Sequence, residues 1–136
     1  MTNVTPTERE LEILKVLWDR GEATVRDVYE ELRQSLPIVQ NTVQAFLRTM
    51  EDKGLVKHRL EGRTFIYEPV RPRDQTTQHL ADQLLQRAFD GAIDQLVQSV
   101  LELRQPTPDE LSKLEALIAR AKSDKAKTSR NKESAP

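Results

Sequence analysis

Apolar residues first recur with a helical period. Leu11, Leu14, Leu17 and Trp18 share one side, and Thr5-Pro6-Thr7-Glu8 before them reads as a helix start: a hydroxyl at the N-cap, proline in the first turn, glutamate three residues on. Gly21 closes this helix. A second start lies at Thr24 with Asp27 three residues on, followed by a stripe of Val25, Val28, Tyr29 and Leu32 that Leu36-Pro37 stops. A third helix runs from about Asn41 to Lys53, with Val43, Phe46, Leu47 and Met50 inward and Gly54 at the left-handed exit. The period then changes to two. Leu55–Leu60 and Thr64–Glu68 read as strands joined through Glu61-Gly62-Arg63, a hairpin that Pro69 and Pro72 end. Phe65 and Tyr67 share one strand face, and at least one of the two faces belongs to the core.

Helical spacing resumes from residue 73 to about 122. Leu80, Leu84, Leu85 and Ala88 form one stripe, Asp90-Gly91 a break, and Ile93, Leu96, Val97, Val100 and Leu101 a second stripe that Pro106 ends. Thr107-Pro108-Asp109-Glu110 repeats the helix-start signal ahead of Leu111, Leu114, Leu117 and Ile118. Beyond Ser123 no apolar residue exceeds alanine, so disorder is expected there. The fold class is therefore mainly α with a small β-hairpin: a winged helix-turn-helix over 1–72, a helical dimerisation region over 73–122 and a disordered basic tail over 123–136.

In a helix-turn-helix the second helix of the pair enters the DNA major groove. Here that is the third helix, and rotation puts Asn41, Thr42, Gln44, Ala45 and Arg48 on its outer side or near its N-terminus. Asparagine and glutamine pair with adenine edges, while threonine and alanine methyls meet the thymine methyl. Arg48, further along, suits a phosphate. Lys57, Arg59 and Arg63 lie on or beside the hairpin and suit phosphates across the groove, or protection of an edge strand. The expected partner is double-stranded operator DNA. A winged helix that binds proteins and no DNA is the alternative, kept open by the acidic first two helices.

Composition narrows the picture more by exclusion. The 136 residues carry a net charge of −1 and are 37% hydrophobic, 32% charged and 4% aromatic. Positive charge is therefore local, which predicts weak, strongly salt-dependent non-specific DNA binding. There are no cysteines, which excludes disulfides, thiolate metal sites and cysteine nucleophiles. His58 and His79 lack ligand spacing, the glycines are isolated, and no nucleophile, base and acid set stands out. No enzyme, cofactor, metal or small-molecule substrate is expected. Absence of a membrane span or signal segment points to the cytoplasm. The C-terminal stripes need a partner, and Leu80, Leu84, Ile93, Leu96, Val97, Val100, Leu101, Leu114, Leu117 and Ile118 are expected to pair with a second copy as a homodimer.

Three segments resemble the penicillinase-repressor family, the BlaI/MecI/CopY group of winged-helix transcriptional regulators. They are Glu10 to Trp18, Thr42-Val43-Gln44 and, most specifically, Lys53-Gly54-Leu55-Val56 through Glu61-Gly62-Arg63-Thr64-Phe65-Ile66-Tyr67-Glu68-Pro69. The resemblance extends from Thr5 to about Lys122. It implies a homodimeric repressor on a palindromic operator, with Asn41, Thr42 and Ala45 where family members read bases and Arg48 and Arg63 near phosphates. It also implies release by cleavage, triggered by a membrane sensor metalloprotease, at an Asn-Phe bond. The matching pair here is Ser99-Val100, which departs from that pattern. The cysteine motif of the copper-responsive branch is absent.

Overall fold

The computed structural model describes residues 4–133. Their elements, in chain order, are α1 (Glu8–Arg20), α2 (Val25–Leu32), α3 (Gln40–Asp52), β1 (Val56–Glu61), β2 (Thr64–Pro69), α4 (Arg73–Phe89), α5 (Ile93–Leu103) and α6 (Pro108–Glu133). The chain forms two compact units, one ending at Ala88 and the other beginning at Phe89.

The first unit is a winged helix. Its core joins Ile13, Leu14 and Leu17 of α1, Val28 of α2, Val43, Leu47 and Met50 of α3, and Val56 and Tyr67 of the hairpin. Each has at most 3% of its surface exposed. Ile13 and Val16 are buried beside the expected stripe, so α1 is covered on a broader arc than Leu11, Leu14, Leu17 and Trp18 define.

α1 starts at Thr7, two residues later than the Thr5 start read from the sequence. Thr7 Oγ1 accepts from the Glu10 backbone N–H at 3.3 Å, and Glu10 Oε1 accepts from the Thr7 N–H at 2.9 Å. Two capping signatures overlap at Thr5 and Thr7, and Glu10 of the second has a further partner. The Lys53 ammonium, at the end of α3, donates to both Glu10 oxygens at 3.1 and 2.9 Å. Glu10 is 1% exposed. Burial by itself raises its pKa, but hydrogen bonds from the Thr7 backbone and from Lys53 outweigh this and hold the carboxyl below its ordinary value.

β1 sits one residue further along than the periodicity indicates, while β2 starts at Thr64 as expected and runs one residue longer, in register Val56↔Pro69, His58↔Tyr67 and Leu60↔Phe65. The turn is correspondingly tighter: two residues, Gly62 and Arg63. Gly62 has φ 65°, and Arg63 is not among the residues with positive φ, the pattern of a II′ hairpin turn. Ala23, between α1 and α2, adds a one-residue third strand. Its N–H donates to Tyr67 O at 2.9 Å, and its carbonyl accepts from the Tyr67 N–H at 2.8 Å.

The first compact unit runs past residue 72, to Ala88. The segment around Pro69 and Pro72 is not a free linker. Trp18 Nε1–H donates to Arg71 O at 3.0 Å, Val70 N–H donates to Leu55 O at 3.0 Å, and Thr76 is buried. The Thr5 hydroxyl donates to Gln83 Oε1 at 2.5 Å. These anchors make α4 part of the winged-helix unit. α6 runs on past Ser123 to Glu133; residues 134–136 lie outside the described part. Extending an existing helix requires no new nucleus, and alanine, lysine, arginine and glutamate are good helix formers.

In the second unit Asp90 and Gly91 both have positive φ, at 51° and 82°, which ends one helix and allows the next. The α5–α6 connection is held by the Arg104 guanidinium, which donates to both Glu110 oxygens at 2.8 and 2.6 Å. Glu110 also closes the Thr107 capping box. The Arg104 hydrogen bond, with that from the Thr107 backbone, lowers the Glu110 pKa to about 2. No residue of α5 is buried. Among the described residues no helix is long and apolar enough to cross a membrane.

Lys53→Met removes the partner of a buried carboxylate. Lys53 keeps 34% of its side chain exposed, so the loss should be roughly 2 kcal/mol, less than for a fully buried pair. The sign with pH follows from the lowered Glu10 pKa. Its stabilisation is complete above the unfolded carboxyl's range and disappears as pH falls through the folded value. Without Lys53 the folded value rises, so the acid-unfolding midpoint should move to higher pH. Urea titrations across acid pH measure both, and an unmoved midpoint would refute this role for the pair.

Candidate nucleic-acid interface

The inward side of α3 is occupied by Val43, Leu47 and Met50, each at 0% exposure. Helical geometry then forces Asn41, Thr42, Gln44, Ala45, Arg48 and Thr49 outward, and all six are exposed. The start of α3 differs from its neighbours. α1 and α2 begin with threonine capping boxes, whereas α3 begins after Val39, which provides no side-chain cap. The Thr42 N–H bonds the Val39 carbonyl at 3.1 Å, and the N–H groups ahead of it have no side-chain cap, as at helix ends that hold phosphates.

The hairpin divides its charges between two environments. Val56, His58, Leu60, Phe65, Tyr67 and Pro69 occupy the face that meets the core, and Lys57, Arg59 and Glu68 the other. Lys57 pairs with Glu68 directly across the strands at 3.4 Å. Arg59 is bound to Glu22 of the α1–α2 turn and, at 3.3 Å, to Glu61. The hydrogen bond from Arg59 lowers the Glu22 pKa, and Glu22 in turn raises that of Arg59. These two cations neutralise carboxylates of their own chain and brace β1. Arg63 stands at the turn and makes no ion pair among those of the described residues.

A groove of about 470 Å³ brings the separate pieces together. It is lined by Thr24 and Arg26 at the start of α2, Gln40 and Gln44 of α3, and Arg63 and Phe65 of the wing. A second groove, of about 280 Å³, lies beside Thr42, Ala45 and Thr49 and reaches Lys53 and Glu10. Gln44 and Arg63 thus converge, Thr42 and Ala45 face the neighbouring depression, and Arg48 belongs to neither groove. Lys57 and Arg59 are not brought into either.

Two residues of the first groove escaped the sequence reading. Gln40 opens α3 one residue before the expected start. Arg26 is exposed in the first turn of α2. A cation there opposes the helix macrodipole, and that local conflict was the available signal. His58, by contrast, is structural: its Nδ1 lies 2.6 Å from Glu51 and its ring 4.4 Å from Phe65. Among the described residues no three metal-binding side chains gather.

The expected dimerisation residues fall in both units. Leu80 and Leu84 belong to α4, where Leu80 is partly covered and Leu84 is 49% exposed. Leu96 is partly covered on α5. Ile93, Val97, Val100 and Leu101 of α5 and Leu114, Leu117 and Ile118 of α6 are all exposed. Within this second unit all of these but Leu117 border apolar grooves of about 300 and 530 Å³. Ser99 and Val100 lie in the middle of α5, exposed and helical.

The chain matches the family model described as penicillinase repressor over residues 6–120. It is 27% identical over 119 residues to the penicillinase repressor of Bacillus licheniformis, covering 88% of this chain and 93% of that protein. Among solved structures it is similar to the solution structure of the DNA binding domain of the repressor BlaI, at 30% identity and TM-score 0.48, over 54% of this chain and 90% of that one. It is also similar to the monomeric form of Bacillus licheniformis BlaI in complex with the blaP half-operator, at 29% identity and TM-score 0.46, over 54% and 87%. With the family model matched across most of its length, this chain belongs to the penicillinase repressor family.

Proposed function

We propose that this chain, by family a DNA-binding transcriptional repressor, acts in the cytoplasm as a homodimer on a palindromic double-stranded operator. The observation that carries the reading is the convergence of Gln40 and Gln44 of α3 with Arg26 and Arg63 on one groove, beside the exposed Asn41, Thr42 and Ala45. In this reading α3 enters the major groove. Asn41, Thr42, Gln44 and Ala45 meet base edges, and Arg48, Arg63 and Arg26 hold phosphates. Lys57 and Arg59 serve the same backbone only by exchanging their carboxylate partners, so their contribution is smaller. Two copies would place their α3 helices about 34–36 Å apart, one duplex turn, or a multiple of it.

The homodimer is supported by the second unit. Its apolar residues recur at i, i+3, i+4 and i+7 on α5 and α6, yet none is buried among those described. Ordering costs about 1–2 kcal/mol per residue, which these helices do not offset alone. A second copy supplies the missing apolar contact by two-fold symmetry. A cut at Ser99-Val100 through a membrane sensor metalloprotease pathway would divide α5 and remove α6, which suffices to dissolve that surface. No cofactor or small-molecule ligand enters the scheme.

Three variants test the reading by fluorescence anisotropy on duplexes. Asn41→Ala with Thr42→Ala should lose about 1–3 kcal/mol per lost base contact on the operator and little on random sequence. Arg63→Ala should weaken both alike and reduce the salt slope by about one. If Arg63→Ala leaves both unchanged, the wing assignment fails; if wild-type binding shows no salt dependence, the chain is a protein-interaction module instead.

For the dimer, Leu117→Lys puts a charge into the proposed apolar seam. Sedimentation should show monomers at concentrations where the wild type is dimeric, with operator affinity at least tenfold lower while the winged helix stays folded. A dimer that tolerates this change at Leu117 and also Val97→Lys is held by some other surface.

A further inference from the structure

We propose that the end of α6, from Ala119 onward, is a second and sequence-independent contact to the phosphate backbone of duplex DNA. The inference rests on the DNA-binding reading above and adds a surface to it. The apolar stripe of α6 stops at Ile118, and from Ala119 to Glu133 no apolar side chain exceeds alanine. This stretch has nothing to bury in an apolar seam, yet it remains helical to Glu133. At about 1.5 Å per residue it extends roughly 22 Å, some two-thirds of a duplex turn.

Charge distribution indicates what it meets. Residues 1–120 hold 16 lysines and arginines against 20 aspartates and glutamates, so the family-matched part is acidic. Residues 121–136 reverse the sign, with five basic residues against two acidic ones. Arg120, Lys122, Lys125 and Lys127 are exposed, and Arg130 and Lys132 follow on the same helix. An acidic body must approach a polyanion using few cations of its own, since Lys57 and Arg59 are already paired. The basic end supplies the missing counter-charge. At about 100° per residue Arg120 and Lys127 fall on one side of the helix and Lys122 and Lys125 on the other, so any approach presents about two of them to a backbone and none to particular bases. A lipid surface is disfavoured, because membrane-lying helices need a bulky apolar face.

The test uses the full-length protein with K122Q, K125Q, K127Q, R130Q and K132Q combined, since glutamine preserves helix propensity. Binding to a random-sequence duplex is measured across salt concentrations. The slope of log affinity against log salt should fall by about two per chain, so that between 50 and 200 mM salt the wild type loses roughly tenfold more affinity than the variant. Preference for operator over random duplex should be unchanged. Replacing the four lysines by arginine should retain the wild-type slope. If the fivefold variant loses dimerisation, K122Q with K125Q and K127Q should still give a smaller change in the same direction. A wild-type slope in the glutamine variants overturns the proposal. So does loss of binding confined to phosphatidylserine vesicles, or to an acidic polypeptide, with duplex binding intact. A wild-type protein that binds no duplex in dilute salt instead overturns the repressor reading itself.

Discussion

α1 and α3 are pinned together where Lys53 closes on Glu10, next to the packing that fixes which side of α3 faces outward. The Glu10 carboxylate caps its own helix through Thr7 and accepts two hydrogen bonds from the last turn of α3. Ile13 and Leu17 then meet Leu47 and Met50 with no exposed surface among them. A helix has one choice of outer face once its inner face is committed. Rotating α3 by one residue, about 100°, would bring Arg48 or Gln44 toward the core and leave the Glu10 charge without a donor. The ion pair sits at the rim of the depression beside Thr42 and Ala45, so the device that sets the helix also borders the surface it presents.

The winged helix also distinguishes cations that hold the fold from cations that remain for a ligand. Lys57 and Arg59 are on the outer face of an edge strand, where unpaired backbone groups invite association with other chains. Each spends its charge on a carboxylate of the same molecule. Arg63 stands beyond reach of these acids because the II′ turn projects it past the strand ends. Arg26 occupies the first turn of α2, a position that helix electrostatics alone disfavours. In the proposed complex a phosphate would offset that conflict. Counting basic residues along the hairpin would therefore overstate its capacity for phosphate, and their partners decide which of them count.

Features encoded within one turn of chain were legible in the sequence, and features settled at a distance were not. The Thr24–Asp27 and Thr107–Glu110 starts are local patterns and lie where the residues place them. α1 starts at Thr7 instead of Thr5, and Glu10 of that capping box also receives Lys53, 43 residues away, which no local pattern announces. The third strand is the single residue Ala23 paired with Tyr67, too short to show any alternation. Pro69 and Pro72 look like a linker until Trp18 is seen to bond Arg71. For the candidate interface, the outer face of α3 and Arg63 followed from periodicity. The recruitment of Arg26 and the internal commitment of Arg59 depend on which loops meet in space.

The two units call on different sources of stability. The winged helix encloses its own core, whereas α5 and α6 expose Ile93, Val97, Val100, Leu114, Leu117 and Ile118. Helices of this kind are held by tertiary contact more than by propensity. An isolated pair clasped by one exposed Arg104–Glu110 link has little to resist opening. If a second copy covers the stripe, as proposed, its order is linked by mass action to that copy, and protein concentration becomes a term in its stability. If the cover is a second copy, folding of this region, pairing of the recognition helices and occupancy of a two-part site are one coupled equilibrium. Any event that disrupts α5 or α6 then weakens DNA binding without touching a residue that meets DNA.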